Sequence, residues 1–475
     1  MTTTAALHDL GASEMLQAYR SRQLSPVDVM RAVLDRVGQW EPSLHATYLL
    51  RPEAALAQAR ASEARWMRSA PQGLLDGVPV TIKDNIATQG DPTPLGTAAV
   101  ELYPAHADAP PAARLRESGA VLFSKTTMPD YGMLSSGLSS FHALTRNPWD
   151  TGKGPGGSSA GAGAACAAGY GPLHIGTDIG GSIRLPAGWC GIFGLKPSLG
   201  RVPIDPPYTG RAAGPMARTV IDAALAMQVL SQPDARDSMS LPYQPIAWHE
   251  AANATPDFFR NKRIGLLLDA GCGLPLEEDV KAAIENAARL MEAAGARITP
   301  MKPFMTPAML EGMDHFWRMR SLADLRTLSA ERRAKVLPFI REWAESAEPF
   351  SGAHVFNASQ QFHATRVAAV KACGAFDYVI SPVAPHAAFD AHEASPTGDP
   401  LRPLEHIGFT VPFNMSEQPA ASVNCGYTAG GLPIGLQIAG ARFDDLGVLK
   451  ASRAFEQIRA GQRPWPEPPP AASAL

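Results

Sequence analysis

The stretch from residue 147 to residue 200 decides the fold, because it contains two glycine-rich segments, GGSSAG at 156–161 and GTDIGGSIR at 176–184. A flexible linker could have this glycine and serine content. Apolar side chains such as Ile175, Trp189 and Leu195 recur through the same stretch, however, and they need a core. Dense glycine in an apolar context permits close backbone approach and positive φ. The stretch therefore predicts a buried site built from main-chain amides.

The composition is that of a globular protein, with 45% hydrophobic and 18% charged residues in 475. The 42 lysine and arginine residues and the 45 acidic residues give a net charge of −3. The sequence has no run of basic residues of the kind that binds a nucleic-acid phosphate backbone. The most apolar stretch, 160–168, is far shorter than the roughly 20 residues of a membrane span. We therefore expect neither a nucleic-acid partner nor a membrane.

The five cysteines are scattered and lack CxxC spacing, which argues against a disulfide framework and favours a reducing compartment. Residues 1–10 have neither the basic nor the apolar region of a secretory signal. A cytoplasmic location is the expectation.

Predicted strands alternate with predicted helices along the chain. Short apolar runs indicate buried strands at 78–83, 121–125, 263–269, 378–383 and 432–439. Helices are expected after Ser25-Pro26 and over 276–294, the latter ending before Gly295. This alternation predicts an α/β fold with a central mixed sheet covered by helices on both faces. The block 235–400 is expected to be a helical insertion over the substrate site, and 463–475 a proline-rich tail.

Two short motifs in the first glycine-rich segment are misleading. GSSAG at 157–161 fits the nucleophile elbow of α/β-hydrolases, with Ser159 as the nucleophile. Gly152, Gly154 and Gly157 fit a dinucleotide-binding pattern. Both motifs require a strand immediately before them, and the preceding TGKGPG at 151–156 cannot form one. Neither interpretation is favoured.

A third interpretation combines Lys83 with Ser158 and Ser182. A serine hydroxyl must give its proton to a base before it can attack, and a buried lysine serves because burial disfavours its charged form. Lys83 ends an apolar strand, which suits such burial. The alternatives are a lysine that reaches back to water and serines that only form tight turns.

Five segments, in order, resemble the amidase signature family. They are LSPV at 24–27, GVPVTIKDN at 77–85, NPWD at 147–150 leading into GGSS, GTDIGGSIR leading into CGIFGLKP at 190–197, and GLPIGLQ at 431–437. The resemblance covers about 1–230 and 405–460. It implies a single domain over 1–462, with its core at about 60–230 and 405–460.

The resemblance also implies a Ser-Ser-Lys triad. Ser182 is then the nucleophile, Ser158 the bridging residue on a cis peptide bond, and Lys83 the base. The backbone N–H groups of Ile179, Gly180, Gly181 and Ser182 are expected to form the oxyanion hole.

Further residues are assigned supporting roles. Thr177, Asp178, Arg184 and Ser159 are expected to hold the loop and orient the serines, although Asp178–Arg184 alone also fits a structural ion pair. By resemblance, Tyr131 and Met133 border the substrate pocket, while ordinary core packing explains Met133 equally well. None of the 12 histidines lies in a motif that would pair with Ser182 or hold zinc, so no metal and no cofactor is expected.

The function implied is hydrolysis of a carbon–nitrogen bond in a small-molecule amide through an acyl-enzyme, by a monomer or homodimer. Aryl amides, carbamates (urethanes) and esters are further candidate substrates, because they form the same tetrahedral oxyanion. The alternative is the glutamine-hydrolysing subunit of a transamidation complex, which needs protein partners.

Overall fold

The computed structural model describes residues 6–459 and 461–469, and in this part of the chain eleven strands form one sheet. The strands are β1 (Thr47–Tyr48), β2 (Pro79–Lys83), β3 (Val121–Thr126), β4 (Leu173–Asp178), β5 (Phe193–Lys196), β6 (Ala212–Ala217), β7 (Arg263–Leu266), β8 (Arg297–Pro300), β9 (Tyr378–Pro382), β10 (Ala420–Tyr427) and β11 (Pro433–Gly440).

The sheet is mixed, as the alternation of elements predicts. Its order is β1-β3-β2-β4-β6-β5-β10-β11-β9-β7-β8. Strand β2 runs parallel to both β3 and β4, and β7 runs parallel to both β8 and β9. The other pairs are antiparallel. Because β2 and β4 are parallel neighbours, their carboxyl ends meet at one edge of the sheet.

Helices cover the sheet, which confirms the predicted fold class. They are α1 (Ala12–Arg20), α2 (Pro26–Leu44), α3 (Pro52–Met67), α4 (Pro110–Glu117), α5 (Ala160–Ala168), α6 (Arg184–Trp189), α7 (Val220–Leu230), α8 (Glu278–Ala293), α9 (Pro307–Arg326), α10 (Ala330–Arg333), α11 (Pro338–Glu345), α12 (Gly352–Cys373), α13 (Val411–Met415) and α14 (Asp445–Ile458). The largest apolar core joins the sheet to α2, α7, α8 and α14, and a smaller one joins α5 and α6 to it.

Local sequence signals fix several helix ends. The Ser25 hydroxyl accepts the backbone N–H of Val27 at 2.9 Å and caps α2, with Pro26 in its first turn. Helix α8 ends just before Gly295, which has φ +101° and so takes the backbone conformation that glycine allows at a helix end.

The block 235–400, expected to be a helical insertion, is helical only in part, and two of its three strands lie at the apolar runs 263–269 and 378–383 that predict strands. It supplies β7, β8 and β9, and β9 pairs with β11 from the C-terminal part of the chain. The remainder forms α8 and the group α9–α12, in which α9 packs against α11 and α12. The division into core and insertion stays a prediction, but this block also completes one edge of the sheet.

The described part of the tail, 461–469, has no regular secondary structure and lies on the body of the protein. The Trp465 ring lies 4.3 Å from the Arg218 guanidinium carbon, and the Glu467 carboxylate pairs with Arg36 at 2.6 Å. Residues 470–475 of the predicted tail lie outside the described residues. Over the described ranges, none of the helices combines the length and apolar character that crossing a bilayer requires.

Candidate active site

Three chain segments meet at the carboxyl ends of β2 and β4. Lys83 is the last residue of β2, the loop before α5 carries Ser158, and the loop between β4 and α6 carries Ser182. The register pairs Ile82 of β2 with Ile175 of β4, so the two strand ends lie side by side. Ligands of α/β sheets are bound at such strand ends.

The Lys83 ammonium is fully buried and has two hydroxyl partners. Its Nζ lies 2.8 Å from Ser158 Oγ and 3.1 Å from Thr177 Oγ1. Burial lowers the pKa of Lys83 to about 7, although Asp178 and Asp84 act in the opposite direction. A lysine in this state is half neutral near physiological pH and can accept a proton.

Ser158 and Ser159 differ in what they contact. The Gly157–Ser158 peptide bond is cis, and Ser158 lies in the cavity wall as well as beside Lys83. The Ser159 hydroxyl is fully buried and hydrogen-bonds to the backbone of Thr177, at 3.2 Å from its O and 3.3 Å from its N. Ser159 N–H donates to Ser182 O at 3.2 Å. Ser159 therefore ties the two glycine-rich segments together and does not face the cavity.

Ser182 lies in the same cavity wall as Ser158. Its side chain forms no hydrogen bond with any described residue, so its hydroxyl is free to meet a ligand. The two hydroxyls share the cavity without bonding to each other in this structure.

The backbone amides around Ser182 divide into two sets. The N–H of Gly181 donates to Asp178 Oδ1 at 2.8 Å, which departs from the expectation that all four amides face a substrate. Within the described chain, no hydrogen bond uses the N–H of Ile179, Gly180 or Ser182. Gly181 has φ +126°, and a Cβ there would lie 2.7 Å from Thr410 Oγ1. The turn at Gly181 thus requires glycine and leaves three amides available.

Asp178 and Arg184 form a buried, bidentate ion pair beneath this loop. The distances are 2.8 Å from Arg184 Nη2 to Oδ1 and 3.0 Å from Nε to Oδ2. Burial would raise the pKa of Asp178, but the Arg184 charge and hydrogen bonds, together with the Asn414 amide, hold that pKa well below its usual range. Because Asp178 also accepts the N–H groups of Gly181 and Ile183, the pair is both structural and responsible for the shape of the loop.

The Arg184 side chain also reaches the C-terminal part of the chain. It donates to Thr410 O at 2.8 Å, Gln437 Oε1 at 2.7 Å and Asn414 Oδ1 at 2.6 Å. The Thr410 hydroxyl in turn donates to Gly180 O at 2.6 Å. These contacts anchor the loop to β11 and to the start of α13.

The cavity above Ser182 is partly open to solvent and has a volume of about 720 Å³ when the open space at its mouth is included. Tyr131 and Met133, which were assigned to the pocket by resemblance, line it. Thr177 lies in the wall as well, while Asp178 and Arg184 do not. The residues that sequence reasoning did not assign to the wall are Asn85, Gly132, Leu134, Ser135, Tyr208, Arg211, Trp317, Arg320, Leu404 and Ile407.

Most of the unassigned wall comes from segments outside the quoted motifs. Tyr208 and Arg211 belong to the loop before β6, Trp317 and Arg320 to α9, and Ile407 to the loop before α13. Asn85 differs from these residues because it ends the quoted motif GVPVTIKDN. Its amide donates to Thr177 Oγ1 at 3.1 Å.

The histidine nearest Ser182 in sequence packs in a strand, as expected. His174 is fully buried in β4, where its Nε2–H donates to Gly171 O at 3.1 Å and its Nδ1 lies 2.7 Å from Thr81 Oγ1. Burial lowers the pKa of His174 to about 3. In the described ranges, no three His, Cys, Asp or Glu side chains converge in the way a metal site requires.

The family model for amidases matches residues 28–449. A glutamyl-tRNA(Gln) amidotransferase subunit from Myxococcus xanthus is 33% identical to this chain, over 95% of it and 97% of that protein. An acylamidase of Rhodococcus erythropolis is 32% identical, over 100% of this chain and 99% of its own length. The crystal structure of a bacterial aryl acylamidase matches with a TM-score of 0.87 and 30% identity, covering 96% of this chain and 97% of that one.

These matches extend over nearly the whole chain, and they agree with the fold and with the residues gathered at the strand ends. The chain therefore belongs to the amidase signature family and is a hydrolase of carbon–nitrogen bonds.

Proposed function

We propose that the protein is a stand-alone amidase that hydrolyses small-molecule amides through an acyl-enzyme on Ser182. One observation carries the proposal. The fully buried Lys83 lies 2.8 Å from the hydroxyl of Ser158. Ser158 in turn lies in the wall of the cavity that also contains Ser182. A base, a hydroxyl that can pass on a proton and a free hydroxyl are the groups that serine activation without histidine requires.

In the proposed acylation step, neutral Lys83 takes the proton of Ser158 as Ser158 takes that of Ser182. The Ser182 oxygen attacks the carbonyl carbon, and the carbonyl oxygen gains negative charge. The free N–H groups of Ile179, Gly180 and Ser182 are the proposed donors to this oxyanion. Such donors are typically worth about 3–4 kcal/mol each in the transition state.

The proton then returns through Ser158 to the leaving nitrogen, and the carbon–nitrogen bond breaks. Water enters, gives its proton to the same relay and attacks the acyl-enzyme carbonyl. The acid is released and the Ser182 hydroxyl is restored. In this scheme Lys83, Ser158 and Ser182 carry the proton transfers, and water is the second substrate.

The substrate range proposed is amides first, with aryl amides, carbamates (urethanes) and esters as further substrates of the same chemistry. The apolar part of the wall, which includes Met133, Trp317 and Ile407, suits a hydrocarbon or aryl group. The match to a bacterial aryl acylamidase over almost the whole chain supports this choice.

A second candidate is the glutamine-hydrolysing subunit of a transamidation complex, which the 33% identity to the amidotransferase protein of Myxococcus xanthus favours. Glutamine carries an α-ammonium group that a binding site pairs with a carboxylate or other acceptor. None of the described residues that line the cavity is aspartate or glutamate. The stand-alone enzyme therefore has the better support, acting as a monomer or homodimer in the cytoplasm.

The test is a panel of 4-nitroanilides, 4-nitrophenyl carbamates and 4-nitrophenyl esters given to the purified protein alone. We expect turnover by the wild type and loss of turnover in Ser182→Ala. Ser13→Ala, which changes an exposed serine on α1, should match the wild type. If the wild type cleaves none of these compounds and releases ammonia from glutamine only with added partner proteins, the second candidate is correct.

A further inference from the structure

Two arginine side chains line the cavity without an acidic partner. Arg211 comes from the loop before β6 and Arg320 from α9. In the described chain, neither one takes part in an ion pair. The Nε–H groups of both are shielded from solvent and have no hydrogen-bond partner among the described residues. By contrast, Arg184 pairs with Asp178 and is fully buried.

Tyr208 and nearby acceptors hold both guanidinium groups in place. The Arg320 guanidinium carbon lies 5.1 Å from the centre of the Tyr208 ring, and that of Arg211 lies 6.0 Å from it. Arg211 donates to Pro206 O, and Arg320 Nη2 lies 3.3 Å from Met133 Sδ. These contacts use only part of the five N–H donors of each arginine, so several remain for a ligand.

The two aspartates whose charges act on Arg211 have another role or lie apart. Asp237 accepts the N–H groups of Ile204 and Met239 at 3.0 and 2.8 Å, and Asp205 is exposed. Burial, and then the neighbouring Arg320 charge, lower the pKa of Arg211. The two like charges thus repel each other in a partly buried site, an arrangement that a bound anion would relieve.

We propose that Arg211 and Arg320 bind a carboxylate of the substrate, so that the preferred substrates are amides that also carry a carboxylate. Guanidinium groups bind carboxylates through paired N–H···O hydrogen bonds, which are among the stronger contacts in proteins. The absence of aspartate and glutamate from the described cavity wall adds to this preference. The inference rests on the proposed function, since it assigns a substrate class to the same cavity.

The carboxylate belongs either to the acyl part or to the amine part of the amide, and two sets of ligands distinguish these sources. The first set is the mono-anilides of malonic to adipic acid, each compared with the fatty-acid anilide that has methyl in place of the carboxylate. The second set is N-butyryl-4-aminobenzoate compared with butyranilide. Binding of each ligand to Ser182→Ala protein is measured by titration calorimetry, which does not require turnover.

We expect at least one carboxylate ligand to bind about tenfold or more tightly than its neutral counterpart, as charge-assisted hydrogen bonds provide. Arg211→Gln and Arg320→Gln, each added to Ser182→Ala, should remove this preference, and Arg320→Lys should restore part of it. The matched control is Arg326→Gln, which removes the same charge from the exposed end of α9, where Arg326 pairs with Glu348 at 3.5 Å. The control should keep the full preference.

The inference is overturned if no carboxylate ligand binds more tightly than its neutral counterpart, or if the preference survives in both arginine variants. Turnover by the wild type is measured separately on the same ligands. Cleavage of neutral anilides without a carboxylate preference leaves the proposed function standing and removes the inference. If the carboxylate ligands bind more tightly than their neutral counterparts but the wild type cleaves none of the ligands, the inference stands and the proposed function fails.

Discussion

Lys83 differs from an ordinary lysine because its ammonium group is fully buried and, among the described residues, has no direct carboxylate partner. Its Nζ contacts the hydroxyls of Ser158 and Thr177, and burial brings its pKa to about 7. The nearest carboxylates, Asp178 and Asp84, attract the charged form but are engaged elsewhere. The outcome is a lysine that can cycle between its two protonation states at neutral pH.

This state predicts a specific pH dependence of catalysis. The base must be neutral, so kcat/KM should fall about tenfold per pH unit below about pH 7 and level off above it. Lys83→Met should lower kcat by about 10²–10⁴-fold, the usual contribution of a general base. The measurement is a pH series of kcat/KM on one anilide.

A second buried lysine provides the control. Lys125 on β3 is 2% exposed, its Nζ has no hydrogen-bond partner in the described part of the chain, and it does not line the cavity. Lys125→Met should not change the pH below which kcat/KM falls. A wild-type profile that stays flat from pH 5 to pH 8 would contradict the assignment of Lys83 as the base.

The loop between β4 and α6 owes its shape to the Asp178–Arg184 pair. The carboxylate accepts the N–H groups of Gly181 and Ile183, while the guanidinium reaches Thr410, Asn414 and Gln437. The sequence left a structural ion pair of these two residues as one of two interpretations, beside a role in holding the loop. It did not indicate that Asp178 would engage the Gly181 amide, because that contact depends on how Arg184 turns the carboxylate.

Breaking this pair should destabilise the fold as a whole. Asp178→Asn leaves the Arg184 charge buried without its partner, which typically costs about 3–5 kcal/mol of unfolding free energy. Urea denaturation measures the loss. As a control, Asp257→Asn breaks the exposed pair with Arg260 and should cost less than about 1 kcal/mol.

The sign of the pH effect follows from the lowered pKa of Asp178. A carboxylate whose pKa is lower in the folded than in the unfolded state stabilises the fold fully above its unfolded pKa of about 3.9. That contribution is lost only as the pH falls below this value. The difference in stability between wild type and Asp178→Asn should therefore be constant above about pH 5 and shrink in acid.

At the scale of the whole molecule, short motifs predicted the centre of the site but not its far wall. Lys83, Ser158 and Ser182 each lie in a short segment, either an apolar strand end or a glycine-rich loop, whose own residues indicate a functional site. Arg211 and Arg320 lie in no such segment, and they meet only when α9 packs over the loop before β6, more than 100 residues away in sequence. The apolar runs at 263–269 and 378–383 predicted strands within 235–400 but not that these strands join the main sheet, since β9 pairs with β11 across about 50 residues.

The continuous sheet predicts how the molecule unfolds. Strands β7–β9 from the middle block and β10–β11 from the C-terminal part belong to one hydrogen-bonded sheet, and α8 packs against β9, β10 and β11. We expect a single cooperative thermal transition, because neither part can lose its strands without exposing the core of the other. Calorimetry tests this: two separated transitions would show that 235–400 unfolds independently.

The central claim is that Ser182 is acylated during turnover, and locating the acyl group tests it most directly. Wild-type protein is mixed with an excess of a 4-nitroanilide or 4-nitrophenyl ester, quenched in acid within the steady state, and digested for mass spectrometry. The account predicts an added acyl mass on Ser182, and no adduct in the Ser182→Ala protein. An adduct on Ser159, or turnover by Ser182→Ala at the wild-type rate, would contradict it.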